Sequence, residues 1–478
     1  MYSVFTRAAR HGRSTVRIAA AVLLSGLVTA GAISGAGPAR AVDGAPEQGG
    51  ASAVISGMDT HGMAVVHEDG KDEQVSAGLF RMIVDGGGML QTYCVDIHNP
   101  TRTDARYQET PWSGTSLGAN KNAGKIRWIL ENSYPQVNDL AALAREAGTT
   151  TLTEQDAAAG TQVAIWRFSD QADVDAVSPA AEKLADHLQR SAVNLAEPRA
   201  SLTLTPQAVS GHPGERVGPV TVRTDAGGVS LMPLTGAAEE GVRVVDKKGH
   251  PVTSAADGSR LYFDIPKDAD AGSAALSVQA STTVPVGRAF TSDTRSQAQI
   301  LAGSSESTVA AGTTATWARQ GAVPALSAQK NCAEGGVDIT VANKGDEPFT
   351  FALMGKRYTA AAEATRTVTI PLQEDQAYDF TITGPHGFEK RLRGILDCRT
   401  TSAAHTDDKG LRTQALIQPS PASVGGTGAA GTDLADTGTS NATPVIAGTA
   451  IVLVLVGGAA LVLVRKKKAP AEEPSGDE

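Results

Sequence analysis

Cysteine is scarce in this sequence: Cys94, Cys332 and Cys398 are the three among 478 residues. Residues 42–437 contain no extended basic patch, residues 444–464 carry no charge at all, and residues 197–325 contain no asparagine. No internal repeat is evident. Each shortage excludes something. With 42 Lys+Arg against 51 Asp+Glu the net charge is -9. Residues 1–41 hold five Arg and no acid, and residues 438–478 hold four groups of each sign, so the stretch between them stands at -14. An acidic chain without a basic patch is a poor candidate for binding nucleic acid or an anionic membrane. Histidine and cysteine fall at no metal-ligand spacing, so neither a metal nor a cofactor is implied.

What is present starts at the two ends. Arg7, Arg10, Arg13 and Arg17 precede a short, glycine-broken apolar run and then Ala39-Arg40-Ala41, a small-x-small site. That order predicts a cleaved secretory signal peptide over residues 1–41, and hence export. At the other end Pro444 to Val464 is 21 residues long, enough for a helix to cross a hydrocarbon core of about 30 Å. Arg465, Lys466, Lys467 and Lys468 follow directly and place that side in the cytoplasm.

Between the ends the pattern changes twice. Residues 42–54 read as a flexible lead-in. From 55 to 196 strand-like runs (61–69, 76–84 and 89–97, with a turn at 85–88) give way to helical periods at 123–135, 140–148, from 153 onward, and 178–196. This predicts one α+β unit. From 197 to 325 short alternating runs separated by Gly, Pro and Asp predict a β-sandwich, and 326–401 predicts a second, Ig-like β domain. Residues 402–433 are polar, without apolar period, and read as a spacer of up to about 100 Å. The expected fold class is therefore multidomain: an α+β head followed by two all-β, Ig-like sandwich domains.

Cys332 and Cys398 bracket the last β block and, in an oxidising compartment, are expected to pair. Cys94 is then alone. It lies in "LQTYCVDIHN", where strand alternation puts Thr92, Cys94, Asp96 and His98 on one face. Four strand residues span about 13 Å, too far for His98 to act as a base on Cys94. Asp96 and His98 are expected to be solvent-facing residues at a strand end. The second oddity is Gln162 in "TQVAIW". Thr153 caps the helix with Asp156 as a capping-box partner. Helical spacing places Gln162 among Ala158, Ala159, Ile165 and Trp166, on the face that should be buried. An unpartnered buried amide costs about 1–3 kcal/mol, so this one is either hydrogen-bonded or no longer an amide.

Tyr93-Cys94-Val95 and Thr161-Gln162-Val163-Ala164-Ile165-Trp166, in that order, resemble the two signature motifs of the bacterial thioester domain, also called the TQxA domain. The resemblance covers 55–196. It implies a bond between the Cys94 sulfur and the Gln162 side-chain carbonyl, formed with loss of ammonia and shielded by apolar cover such as Tyr93 and Trp166. It further implies a surface adhesin that captures a partner bearing a reactive amine, once per molecule and without turnover. Leu434-Ala435-Asp436-Thr437-Gly438, followed by the apolar span and basic tail, resembles the sorting signal of Gram-positive wall proteins in its Leu-Ala-x-Thr-Gly variant. That resemblance implies a sortase that joins Thr437 to peptidoglycan, so that residues 434–478 act only as a sorting signal and the mature protein is wall-anchored. Some related stalks carry Lys–Asn crosslinks; the missing asparagine excludes that pair within 197–325, while Lys344, Lys356 and Asn343 occur in the last block. Two other readings stand beside this one. One is a passive wall-anchored stalk in which Cys94 is merely buried and Gln162 merely hydrogen-bonded; the other is a surface thiol enzyme that recycles Cys94, with no His motif to serve it.

Overall fold

A computed structural model of the chain describes residues 48–103, 105–236 and 241–399. The expected signal peptide, the start of the expected lead-in, the expected spacer, the pentapeptide 434–438 and the 444–464 span lie outside the described residues. Among the described residues no helix is long and apolar enough to cross a membrane.

The head is built on a long hairpin. Strand β1 (Ser52–Glu68) turns into β2 (Lys71–Val84) through Asp69-Gly70, both at positive φ (52° and 72°). A two-residue turn with this backbone matches the twist of the strands it joins. Strand β3 (Met89–Cys94) comes after a glycine turn and pairs antiparallel with β2. Strand β4 (Arg106–Thr110) pairs with the start of β1, and β5 (Val174–Ala176) pairs with its far half.

Two further strands complete the sheet, and they come from far along the chain. Ala289–Ser292 pairs with β4 and with Gln299–Ser304, which in turn pairs with β3. The ring β1, β2, β3, 299–304, 289–292, β4 and back to β1 is thereby closed, a six-stranded antiparallel barrel without free edges in that circuit. Four helices supplement it: α1 (Ala123–Glu131), α2 (Leu140–Glu146), α3 (Glu154–Ser169) and α4 (Pro179–Ser191). α3 opens on the expected capping box: Thr153 Oγ1 accepts from the Asp156 N–H at 3.0 Å, and Asp156 Oδ2 accepts from the Thr153 N–H at 3.1 Å. It crosses α4 closely at Gly160, where a Cβ would lie 2.5 Å from the Ala181 carbonyl oxygen. Arg167 ties the pair by ion pairs to Glu182 and Asp186.

The fold departs from the sequence-based partition in two ways. Residues 289–304 fall inside the block expected to be one sandwich, yet they are barrel strands of the head. The sandwich consists of a four-stranded sheet (Arg243–Val245, Arg260–Asp264, Arg216–Thr224, Leu202–Thr205) and a five-stranded one. In the latter, Gly272–Thr283 pairs along its whole length with Glu306–Trp317, and the chain between these partners makes the excursion into the barrel. The physical reason is the closed ring: β3 and β4 would otherwise present unpaired edges over a buried face. The second departure is the lead-in. Ala51 and Ala53 are fully buried and β1 already begins at Ser52, so residues 52–54 are barrel wall, while Gly50 bridges to Ala310 of the sandwich.

A buried ion pair joins the segments. Glu109 on β4 accepts from Ala51 N (3.1 Å), Ser201 N (3.0 Å), Ser201 Oγ (2.5 Å) and Arg288 Nε (2.9 Å). Arg288 also donates to Glu197 Oε1 and the Pro198 carbonyl. Gly50, at φ +96°, passes so close to Glu109 that a Cβ would sit 2.4 Å from its Oε2, so only glycine fits there.

The last block has its own core, with Val337, Ile339, Val341, Phe349, Phe351, Ile370 and Leu392 buried. It is made of a three-stranded sheet (Pro324–Asn331, Gly336–Asn343, Ala364–Pro371) and two hairpins. Cys332 and Cys398 form a disulfide across 66 residues of sequence. Asn343 is fully buried and spends its side chain on backbone groups, accepting from Val323 N and Gly345 N and donating to the Glu347 and Ala361 carbonyls. Reducing the disulfide removes the constraint on the unfolded block and is expected to lower its stability by about 3–4 kcal/mol. A thermal melt with and without reductant checks this, and an unchanged melting temperature of the block would contradict it.

Candidate functional site

β3 pairs with β2 only as far as Thr92, which sits opposite Phe80. On its other side Cys94 lies opposite Gln299, and Val95 N donates to the Ala298 carbonyl at 3.2 Å. That bond marks Cys94 and Gln299 as a pair not bridged by ladder hydrogen bonds, the kind in which facing side chains come closest. The peptide N–H and C=O of Cys94 therefore point away from that neighbour, toward a position where the sheet has no further strand partner.

Gln162, in the middle of α3, fills that position with its side chain. Cys94 N donates to Gln162 Oε1 at 3.0 Å, and Gln162 Nε2 donates to Cys94 O at 2.9 Å. The carboxamide thus imitates a strand peptide and terminates the ladder. The buried amide is hydrogen-bonded, and its partner is the cysteine residue itself. Cys94 and Gln162 are both fully buried, and Cys94 takes no part in a disulfide. The helix gives Gln162 this aim because its inward face also holds Ala158, Ala159, Ile165 and Trp166, all buried.

The thiol has its own polar surroundings. Gln299 Nε2 donates to Cys94 Sγ at 3.3 Å, and Thr101 Oγ1 lies 3.9 Å from the sulfur. Burial pushes the Cys94 thiol up, while the hydrogen bonds from Gln299 and Thr101 oppose that rise. Gln297, also fully buried, donates to Thr101. Sequence reasoning misses Thr101, Gln297 and Gln299. The last two lie in a stretch that reads as sandwich, and nothing short of the strand pairing places them here.

Asp96 does not face solvent. β3 stops at Cys94, so alternation no longer applies, and Asp96 is 2% exposed. Its carboxylate accepts from His98 N (2.9 Å) and Asn99 Nδ2 (2.6 Å), folding the chain back on itself. Burial holds the Asp96 carboxyl well above the usual carboxylate range, and the nearby charge of Asp170 adds to the rise. Asp170, which ends α3, accepts from Ile97 N at 3.2 Å. α3 is therefore tied to the Cys94 segment at two points, Gln162 and Asp170.

Of the two expected shielding residues, Trp166 shares the inward helix face with Gln162, is fully buried, and has no hydrogen-bond partner for Nε1 among the described residues. Tyr93 is fully buried as well, but strand alternation sends it to the opposite side of β3 from Cys94, where its hydroxyl donates to the Tyr134 carbonyl at 2.9 Å. Away from the head, carboxylate oxygens of Glu374, Asp375 and Asp397 lie within 4.8 Å of one another. Glu374 there accepts from the Cys398 and Arg399 N–H groups, and burial pushes Asp397 up to about 7.

A barrel strand ending in a buried cysteine, bridged by a helix glutamine, defines a head organised around a Cys–Gln pair. Residues 91–196 match the family described as the thioester domain, which supports a thioester-domain protein. Residues 322–395 match the family described as the bacterial phospholipase C, C-terminal domain. No curated protein matches the chain. Similar solved structures include the Bacillus anthracis TIE protein (12% identity, TM-score 0.26, covering 73% of this chain and 64% of that one). They also include the thioester domain of the Enterococcus faecium TIE86 protein (15% identity, TM-score 0.27, 56% and 97%) and the E. coli chaperone DraB (13%, 0.15, 41% and 98%). The chain thus spans less than two thirds of the Bacillus anthracis protein, and at these TM-scores the likenesses carry no argument.

Proposed function

We propose that this is an exported surface protein that captures an amine-bearing partner covalently, through a thioester between Cys94 Sγ and the Gln162 side-chain carbon. The observation that carries this reading is the two-point pairing of the Gln162 carboxamide with the Cys94 peptide inside a fully buried site. The Cys94 N–H on Oε1 is a fixed dipole where negative charge develops when sulfur adds to the carbonyl carbon. In bond formation Sγ bonds to that carbon, the carbon–Nε2 bond breaks, and the thiol proton leaves with the nitrogen as ammonia. In capture, an amine nitrogen bonds to the same carbon, the carbon–sulfur bond breaks, and the sulfur takes up the amine's proton. The product is an amide on Gln162 and a free Cys94 thiol, a single event without turnover. The sandwich and the last block act as the stalk, and the 434–438 signal leads a sortase to join Thr437 to peptidoglycan.

Intact mass of the full chain tests the chemistry. The thioester predicts a deficit of one ammonia, converted by methylamine into an adduct, and full mass with no adduct in Cys94→Ala and Gln162→Ala. Full mass in the unmodified chain, with no methylamine adduct, would leave Cys94 and Gln162 as hydrogen-bonded core residues of a passive stalk.

A further inference from the structure

Gln299 is a fully buried glutamine directly opposite Cys94, 205 residues away in sequence. One N–H of its carboxamide points at the sulfur at 3.3 Å, and the same nitrogen lies 3.5 Å from Thr101 Oγ1. Its oxygen accepts from the Thr92 hydroxyl at 3.0 Å, which turns the NH2 end toward Sγ. All four side chains are fully buried. The arrangement is costly for packing alone: a neutral sulfur is a weak acceptor, and an apolar side chain of the same shape would fill the space without desolvating an amide. A donor aimed at sulfur gains strength when the sulfur carries charge, because charge-assisted hydrogen bonds are roughly twice as strong as neutral ones.

We infer that Gln299 is a sulfur-holding residue of the Cys94–Gln162 bond: it positions Sγ against the Gln162 carbonyl carbon and stabilises the sulfur as it departs when an amine opens the bond. This rests on the thioester reading and adds to it a group from outside residues 91–196. The stabilisation is differential, present where thiolate character develops and nearly absent in the intact thioester, and that is what accelerates a step. It also explains why the barrel borrows a hairpin from between two sandwich strands, since that hairpin delivers the donor.

The experiment uses the full chain as wild type, Gln299→Met and Gln299→Glu, with the mass deficit read first and the rate of methylamine adduct formation second. Removing one preorganised oxyanion donor costs about a hundred- to a thousandfold in rate. Sulfur is a softer acceptor, so Gln299→Met is expected to keep its ammonia deficit and open about ten- to a hundredfold more slowly. Gln299→Glu offers a donor only while its carboxyl holds a proton. Its rate, corrected for the free-base fraction of methylamine, is expected to fall with rising pH where wild type stays flat. Opening of Gln299→Met at the wild-type rate overturns the assignment. A Gln299→Glu profile parallel to wild type overturns it too, even if Gln299→Met fails to fold. Absence of the ammonia deficit in wild type would instead overturn the thioester reading, so the two failures are distinct.

Discussion

Glu109→Ala is expected to lower the unfolding free energy by about 3–5 kcal/mol, the range for breaking a buried ion pair from one side. Glu109 is 1% exposed and Arg288 4% exposed, so neither can turn to water when its partner goes. The substitution leaves the Arg288 Nε, the Ser201 N–H and hydroxyl, and the Ala51 N–H without their acceptor. A loss this large is a substantial part of the 5–15 kcal/mol that typically holds a domain together. Urea unfolding checks it. The double variant Glu109→Leu/Arg288→Met should recover a good part of the loss, because a buried pair replaced by apolar groups is often close to neutral. A loss below about 1 kcal/mol for Glu109→Ala would mean the pair is not the joint between barrel, linker and hairpin that its geometry describes.

A fragment ending at residue 196 is expected not to fold, whereas one continued to residue 317 is expected to fold. The shorter fragment lacks 289–304 and so loses Phe290, Ile300 and Leu301, each buried to within 1%. At about 1.5–3 kcal/mol for each large apolar side chain, their removal alone approaches the stability of a domain. It also unpairs the facing edges of β3 and β4. The near-ultraviolet circular dichroism of the two fragments, and protection of Cys94 from a thiol reagent in Gln162→Ala versions of each, separate the outcomes. A cooperative melt for the fragment ending at 196 would show that the hairpin is an accessory to the barrel.

The Cys94–Gln162 pair is legible in the sequence because both halves are local patterns. A helix period from Thr153 onward fixes the inward face on which Gln162 stands, and an odd cysteine in a chain whose first residues predict export singles out Cys94 once Cys332 and Cys398 bracket a block. β4 is absent from the strand-like runs of the sequence because its buried positions include Glu109, a charge that alternation counts as outward. Asp96 defeats the pattern because alternation holds only to Cys94, two residues short of it, where the strand ends. Residues 289–304 escape because both faces of 299–302 are buried, Gln299 and Leu301 on one and Ile300 and Ala302 on the other, so no alternation of apolar and polar residues marks them, and the buried Ser296 and Gln297 before them are polar.

The sequence by itself determined the helix that carries Gln162, the strand that carries Cys94, the β character of residues 197–401 and the cysteine pairing of the last block. All of these depend on residues a few positions apart or on simple counting. The tertiary structure alone decided which strands close the barrel, that Glu109 meets Arg288, and that Gln299 touches the sulfur. Antiparallel pairing imposes no spacing on the chain between partners, so a contact across about two hundred residues leaves no period in the sequence to read.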